Sequence, residues 1–200
     1  MANSWSKQPV WVSGYINNVN DTIVGGQLSS VPVGVVATQG DQTLLGDHLV
    51  LDEAAANAKS TTASGFAQLH GGYYQYVQFD SSATTPALGQ TLYWKLTSNI
   101  SGPYTVTNVA TANQSAYAGV LLNPNVTAGN YTWIQTAGRA TVLFAASGTT
   151  TAGVAVYGTV GSPNATVSAG AVSDLIGVAE GDAVASTLHL VDLNIKTLRF

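Results

Sequence analysis

Short strand-like segments separated by turn residues fill this chain from residue 73 onward, and they constrain its fold more than any other feature. In residues 92–97, Leu92, Trp94 and Leu96 alternate with polar or amphipathic side chains. A period of two predicts a strand with one buried face. Comparable segments are Tyr73–Phe79, Tyr104–Val109, Tyr117–Leu122, Tyr131–Thr136, Ala140–Ala145, Val154–Val160, Leu175–Ala179 and Thr187–Ile195.

Residues that favour turns lie between these segments at close spacing. They include Gly102-Pro103, Asn123-Pro124-Asn125, Ala128-Gly129-Asn130, Ala137-Gly138, Ser147-Gly148, Ser162-Pro163-Asn164 and Glu180-Gly181-Asp182. Many short strands with such turns are typical of sandwiches and barrels. The sequence therefore predicts an all-β fold of mainly antiparallel short strands, arranged as a sandwich or as a barrel of the β-tulip type.

The first 85 residues follow a different pattern from the rest. Residues 1–30 have no regular apolar spacing and predict an extended N-terminal arm. Residues 31–85 form a mixed region that either stands apart or belongs to the core domain predicted for residues 86–200. One short helix is predicted near residues 51–59, because acids open this segment, alanines fill it and Lys59 ends it.

Charged residues are scarce in this chain, and their scarcity argues against several classes of function. Only 8% of its 200 residues are charged, against about 25% in an ordinary soluble domain. Six cationic residues and a net charge of −4 leave no basic stripe for nucleic acid. No apolar run approaches the roughly 20 residues of a membrane helix. The start lacks a secretory signal, which favours synthesis and assembly in a cytoplasm.

The residues that usually carry catalysis or bind metals are few and scattered. Asp47-His48 is the one adjacent acid and imidazole pair, whereas His70 and His189 have no second ligand at metal-binding spacing. The three acids Asp174, Glu180 and Asp182 flank one turn and fit a solvated hairpin better than a calcium site. The absence of cysteine excludes disulfides and thiolate sites. We therefore expect that this protein is not an enzyme and that it has no catalytic residue, no cofactor and no bound metal ion.

Aromatic residues lie at both odd and even positions of several predicted strands. Rings on the second face must contact something outside the strand's own core, which favours either a subunit contact or a sugar-binding platform. We expect a homo-oligomer, most simply a trimer. The predicted subunit-interface residues are Tyr74, Tyr76, Tyr131 and Trp133.

The N-terminal arm carries a second set of candidate binding residues. Trp5, Pro9, Trp11 and Tyr15 are costly to leave in water, yet their spacing forms no core. Either the arm orders on a capsid or neighbouring subunit, or its aromatic rings fold back on the chain's own β-domain. The sequence favours neither alternative over the other.

Three segments of the second half resemble a known family. Residues 117–123 read Tyr-Ala-Gly-Val-Leu-Leu-Asn, residues 127–144 contain Ala-Gly-Asn-Tyr-Thr-Trp-Ile-Gln followed by Gly-Arg-Ala-Thr-Val, and residues 175–183 contain Ile-Gly-Val-Ala. These segments resemble the head-decoration, or cement, proteins of tailed bacteriophages. The similarity covers about the last 85 to 110 residues and consists of short strand sequences.

This resemblance implies a structural virion protein without enzymatic activity. Such a protein binds the outside of a phage capsid, commonly as a trimer, and stabilises the shell by bridging neighbouring major capsid subunits. Its expected partner is the phage major capsid protein, and its expected location is the capsid exterior. A tail-fibre or spike module that binds host glycans is the alternative, because it would also be β-rich, aromatic and poor in charge.

Overall fold

The computed structural model describes residues 45–46, 48–54, 56, 69–80, 85–95, 104–108, 116–124, 126–129, 131–146, 150–159, 162–167 and 173–194. Ten strands in this part of the chain form one hydrogen-bonded sheet. They are β1 (His48–Leu51), β2 (Gly72–Phe79), β3 (Thr91–Trp94), β4 (Thr105–Thr107), β5 (Tyr117–Leu121), β6 (Tyr131–Leu143), β7 (Ala155–Thr159), β8 (Ser162–Thr166), β9 (Ser173–Ala179) and β10 (Leu188–Asn194). The predicted all-β fold is confirmed.

Five of the strands close into a barrel. Going round it, β2 pairs with β4, β4 with β3, β3 with β5 and β5 with β6, and pairing of β6 with β2 completes the ring. Every pair is antiparallel except β2 and β4, which run parallel. Apolar side chains fill the interior, as expected for strands rich in β-branched and aromatic residues. They include Val77, Phe79, Leu92, Trp94, Val106, Ala118, Leu121 and Ile134.

Strands β7 to β10 extend from the barrel as a curled part of the same sheet, which we call the curled sheet. The second half of β6 leaves the barrel and pairs with β10, and the order continues through β9 and β7 to β8. β8 then returns toward β6, where Phe144 bridges Ala165 and the Ala145 amide donates to the Ala165 carbonyl at 2.8 Å. The curled sheet encloses a second core that includes Val142, Phe144, Val156, Ile176, Val191 and Leu193.

The wall formed by β3 and β5 serves both cores. Leu92 and Trp94 point into the barrel, whereas Tyr93 belongs to the second core. All four residues of β3 are buried. The prediction of one buried face for this strand was therefore wrong, because the curled sheet covers the face that a lone barrel would leave in water. The Tyr93 hydroxyl donates to the Ser162 carbonyl at 3.3 Å and links β3 to β8.

Two segments that the sequence predicts as turns lie within strands in the structure. Ala137-Gly138 lies inside β6, where a bulge places an extra residue opposite Tyr73 and Tyr74. Bulges bend a strand, and this one lies where β6 passes from the barrel into the curled sheet. Ser162-Pro163-Asn164 belongs to β8. Pro is tolerated there because, among the described strands, β8 pairs in a regular ladder with β7 alone.

The region before β3 joins the same sheet. β1 and β2 pair antiparallel, and β2 is a member of the barrel. Of the predicted helix near residues 51–59, Leu51 belongs to β1, and Glu53, Ala54 and Ala56 are helical. The Ala56 amide donates to the Asp52 carbonyl at 2.9 Å. Residues 57–59 and the whole predicted arm at 1–30 lie outside the described residues.

Candidate binding face on strands β9 and β10

The outward surface of the curled sheet carries exposed apolar side chains together with most of the charged side chains of that sheet. Since Val191 and Leu193 of β10 and Ala179 at the end of β9 point into the second core, the residues that alternate with them point away from it. We call this surface the β9–β10 face. It consists of Leu175 and Val178 in β9, Glu180 just after β9, Leu188, Leu190 and Asp192 in β10, and Arg139 in β6.

Strand register places these side chains in two adjacent rows. Val178 lies opposite Asp192, and Asp192 lies opposite Arg139. One step along the strands, the Glu180 amide donates to the Leu190 carbonyl at 3.0 Å, which fixes Glu180 beside Leu190. Residues in one row are direct cross-strand neighbours. The face is therefore a compact surface built on three paired strands.

Apolar side chains on this face are exposed to an unusual extent. The described part of the chain exposes six large apolar side chains, and Leu175 at 57%, Val178 at 43% and Leu188 at 39% are three of them. Leu175 points outward because the pairing of β7 with β9 shifts register between Val156 and Tyr157. Exposed apolar groups on neighbouring strands are typical of surfaces that contact another protein.

One ion pair crosses the face. The Arg139 Nε donates to Glu180 Oε2 at 2.6 Å, diagonally over β10. An open groove of about 330 Å³ lies beside this pair and is lined by Arg139, Glu180, Gly181, Leu188, His189 and Leu190. Both side chains of the pair are partly exposed, so solvent screens their attraction and its contribution to stability is small. The groove thus offers both charged and apolar side chains to a ligand.

The turn that joins β9 and β10 is stabilised by His189. The Val184 amide donates to the Nε2 atom of His189 at 2.7 Å, so this nitrogen carries no proton. The Thr187 hydroxyl lies 2.6 Å from the same nitrogen. The ring packs edge-on against Phe144, with centroids 5.9 Å apart. His189 therefore caps the hairpin from the side of the second core, and its imidazole has a structural role.

We expect His189→Phe to loosen this turn while the curled sheet stays folded. The new ring retains the contact with Phe144 but offers no acceptor to the Val184 amide, which costs about 1 kcal/mol. Hydrogen exchange measured by NMR should show faster exchange of the Val184 amide and unchanged exchange of the Val191 amide in β10. Equal protection of Val184 in both proteins would contradict the capping role.

A second imidazole lies at the entry to β2. His70 is buried, and its Nδ1 atom lies 3.1 Å from Glu53 Oε1. The Gly71 amide donates to Glu53 Oε2 at 2.6 Å, and the Tyr74 hydroxyl donates to the His70 carbonyl. Hydrogen bonds from the Gly71 amide and from His70 hold the pKa of Glu53 below its usual 4.5. The carboxylate thus ties the helical turn after β1 to the start of β2.

This carboxylate predicts a pH dependence of stability. Because the pKa of Glu53 is lowered by folding, its contribution is complete above the unfolded pKa near 4.5 and is lost as pH falls through the lower folded pKa. We expect Glu53→Gln to lower the melting temperature slightly at neutral pH and to flatten its decline below pH 4.5. Asp182→Asn, at an exposed acid without a hydrogen bond to the described residues, is the control and should leave the profile unchanged. Parallel profiles of wild type and Glu53→Gln would contradict this.

The structure buries most of the aromatic residues that the sequence assigned to a subunit interface. Tyr74, Tyr76 and Trp133 are at most 2% exposed within the chain itself, and Tyr76 packs on Trp133 with centroids 5.2 Å apart. Side chains this deeply buried within the chain offer no surface to a second subunit, so their assignment to a subunit interface is corrected. Tyr131 is half-buried and stacks on Tyr76 at 6.0 Å.

The other predicted site residues are distributed as follows. Trp5, Pro9, Trp11 and Tyr15 lie outside the described residues, as does Asp47. His48 is exposed on β1. Among the acids near the β9–β10 turn, Glu180 pairs with Arg139, and Asp182 is exposed. Within the described ranges no three His, Asp or Glu side chains come together in a way that could hold a metal ion.

Sequence reasoning did not identify the β9–β10 face. In the sequence, its apolar members look like ordinary strand residues, and Arg139 is simply one of six cationic residues. An outward position for Val178 could have been found from the alternation with Ala179, but that of Leu175 depends on a register shift.

In the described part of the chain, no helix is long and apolar enough to span a membrane.

No family model matches this chain, and no curated protein is similar to it at a significant level.

Proposed function

We propose that this chain is a non-enzymatic structural protein that binds the outer surface of a tailed-phage capsid and stabilises the shell by bridging neighbouring major capsid subunits. The observation that carries the proposal is the β9–β10 face, where Leu175, Val178 and Leu188 are exposed beside one ion pair. A surface of this kind fits a protein partner better than a small substrate. Its location would be the virion exterior, after assembly in the host cytoplasm.

The positions of the segments that resemble decoration proteins support the proposal further. They fall on β5, on β6 and on β9. β6 is shared by the barrel and the curled sheet, and β5 belongs to the wall between the two cores. The resemblance therefore concerns the strands that organise the whole fold, and one of these strands carries the exposed Leu175 and Val178.

The glycan-binding alternative loses support from burial. Sugar platforms need exposed aromatic faces, whereas Trp94, Trp133 and Tyr93 are at most 2% exposed. Tyr73, at 55% exposed, is the one aromatic among the large apolar side chains exposed in the described residues. One isolated ring forms a poor platform, so the capsid is the better partner.

Co-sedimentation separates the two functions. Purified protein is mixed with capsid shells of the phage that encodes it, assembled without this protein, and in parallel with host cells. We expect the protein to pellet with shells to a saturable ratio and to raise the temperature at which the shells rupture. Pelleting with cells, and not with shells, would overturn the capsid proposal in favour of host attachment.

The proposal also includes a homotrimer. Closed cyclic symmetry suits a protein that bridges several equivalent capsid subunits, and three copies multiply modest individual contacts. Light scattering at micromolar concentration should give a mass near three times that of the chain. A monomer both in solution and on the shell would contradict this part of the proposal.

A further inference from the structure

We propose that the partner surface covering the β9–β10 face carries a Lys or Arg side chain, flanked by apolar side chains, opposite Asp192. This inference rests on the proposed function, in which the partner is the major capsid protein. It goes further by stating the chemistry that the capsid surface must present.

The charges on the face are unbalanced. Asp192 is exposed and lies between Val178 and Arg139 in the cross-strand row. The Arg139 Nε is nevertheless bonded to Glu180, and Asp192 has no hydrogen bond or ion pair with the described residues. Lys95, the other cation in the described part of the chain, pairs with Asp80. Asp192 therefore relies on water for its solvation.

Covering the face removes that water. A carboxylate that is desolvated without a partner is strongly unfavourable, whereas one that meets a cationic donor is compensated. The exposed Val178 beside Asp192 and Leu190 two residues along β10 give a partner apolar surface to bury. Residues two apart on one strand face lie about 7 Å from each other. A basic side chain over Asp192 with apolar neighbours on either side matches this pattern.

A second copy of the chain matches it poorly. Two copies meeting through this face would together contribute four carboxylates, from Asp192 and Glu180 of each copy, and only two guanidinium groups. Arg139 would be the only cation that each copy contributes from the face. Like charges placed together across an interface oppose association. The charge pattern therefore favours a partner of different sequence over self-association.

Binding of variants to capsid shells tests the proposal. Asp192→Asn keeps the shape of the side chain and raises the net charge by one, and Asp192→Lys reverses the charge. Ala128→Lys, in the exposed turn before β6 and thus at the far end of that strand from Arg139, also raises the net charge by one and is the control. For the apolar flank, Val178→Ser is compared with Val50→Ser, because Val50 on β1 is similarly exposed at 52%.

We expect Asp192→Asn to weaken shell binding about tenfold or more and Asp192→Lys about a hundredfold. Val178→Ser should weaken it several-fold, while Ala128→Lys and Val50→Ser bind like wild type. Added salt should weaken wild-type binding more than binding of Asp192→Asn. Circular dichroism and light scattering of each variant report whether its fold and oligomer mass are unchanged.

The possible failures are distinguishable. If wild type does not pellet with shells, the proposed function is overturned, and this inference with it. If wild type pellets and both Asp192 variants bind equally well, the inference alone is overturned. A change of oligomer mass in the Asp192 variants would make the face a contact between copies of this chain and would also overturn it.

Discussion

Gly138→Ala is expected to be among the most destabilising single substitutions in this protein, with a loss of about 3 kcal/mol in the free energy of unfolding. Gly138 has a φ of +86°, which L residues adopt at a cost of about 1–2 kcal/mol. A Cβ atom at this position would also lie 2.6 Å from the Gly71 carbonyl oxygen and 2.7 Å from the Gly72 Cα. Both neighbours are backbone atoms at the entry to β2, which pairs with β6, so neither can yield by a rotamer change.

Gly153→Ala is the matched control. Gly153 has a φ of +83°, but nothing lies within 4 Å of the added Cβ, so its loss should be limited to about 1 kcal/mol from the backbone conformation. Urea unfolding of both variants, with the same slope, gives the difference that is due to the close approach of β2 and β6. Equal losses would show that β2 and β6 separate easily at this point.

The behaviour of Gly138 also shows where prediction from the sequence stops. Ala-Gly between two apolar segments is typical of a turn, and the sequence divided β6 there into two strands. The structure continues the strand through a bulge instead, with the Thr136 hydroxyl donating to the Tyr73 carbonyl at 3.2 Å. A positive φ suits both outcomes. Local sequence therefore identified the special backbone position but not the pairing with β2 that determines its use.

The positions of strands could be predicted where apolar residues alternate. Which faces of those strands are buried was harder to predict. The segments around β2, β5 and β9 were found within one or two residues of their observed ends, because β-branched and aromatic residues mark them. The burial of both faces of β3 was not found, since it depends on strands more than 60 residues away in the chain, such as β8. Long-range closure of this kind leaves no local pattern.

The candidate site was less predictable than the fold. Exposure cannot be read from residue type, because Leu175 and Ile176 look alike in the sequence, and yet the first is exposed and the second is buried. The aromatic residues misled in the opposite direction. Tyr74, Tyr76 and Trp133 are predicted at an interface because they are surplus to one buried face, but other parts of the same chain bury them.

Phe144→Ala is expected to cost about 3–5 kcal/mol, the usual range for a fully buried phenylalanine. Phe144 has no exposed surface and belongs to the second core. It also closes the curled sheet, since it bridges Ala165 of β8 and its amide donates to the Thr187 carbonyl at 3.0 Å. Its ring supports His189 and thereby the turn between β9 and β10. Removing the ring leaves a cavity where three separate segments meet.

Two further variants keep this prediction testable if the alanine variant does not fold. Phe144→Leu retains most of the volume and should lose only about 1 kcal/mol, whereas Leu175→Ala removes a side chain that is 57% exposed and should change stability by less than about 0.5 kcal/mol. Denaturant unfolding gives all three values. A Phe144→Leu loss no larger than that of Leu175→Ala would mean that the seam between β6 and β8 contributes little. The curled sheet would then have to be held against the barrel wall by other contacts, such as the hydrogen bond from Tyr93 to Ser162 of β8.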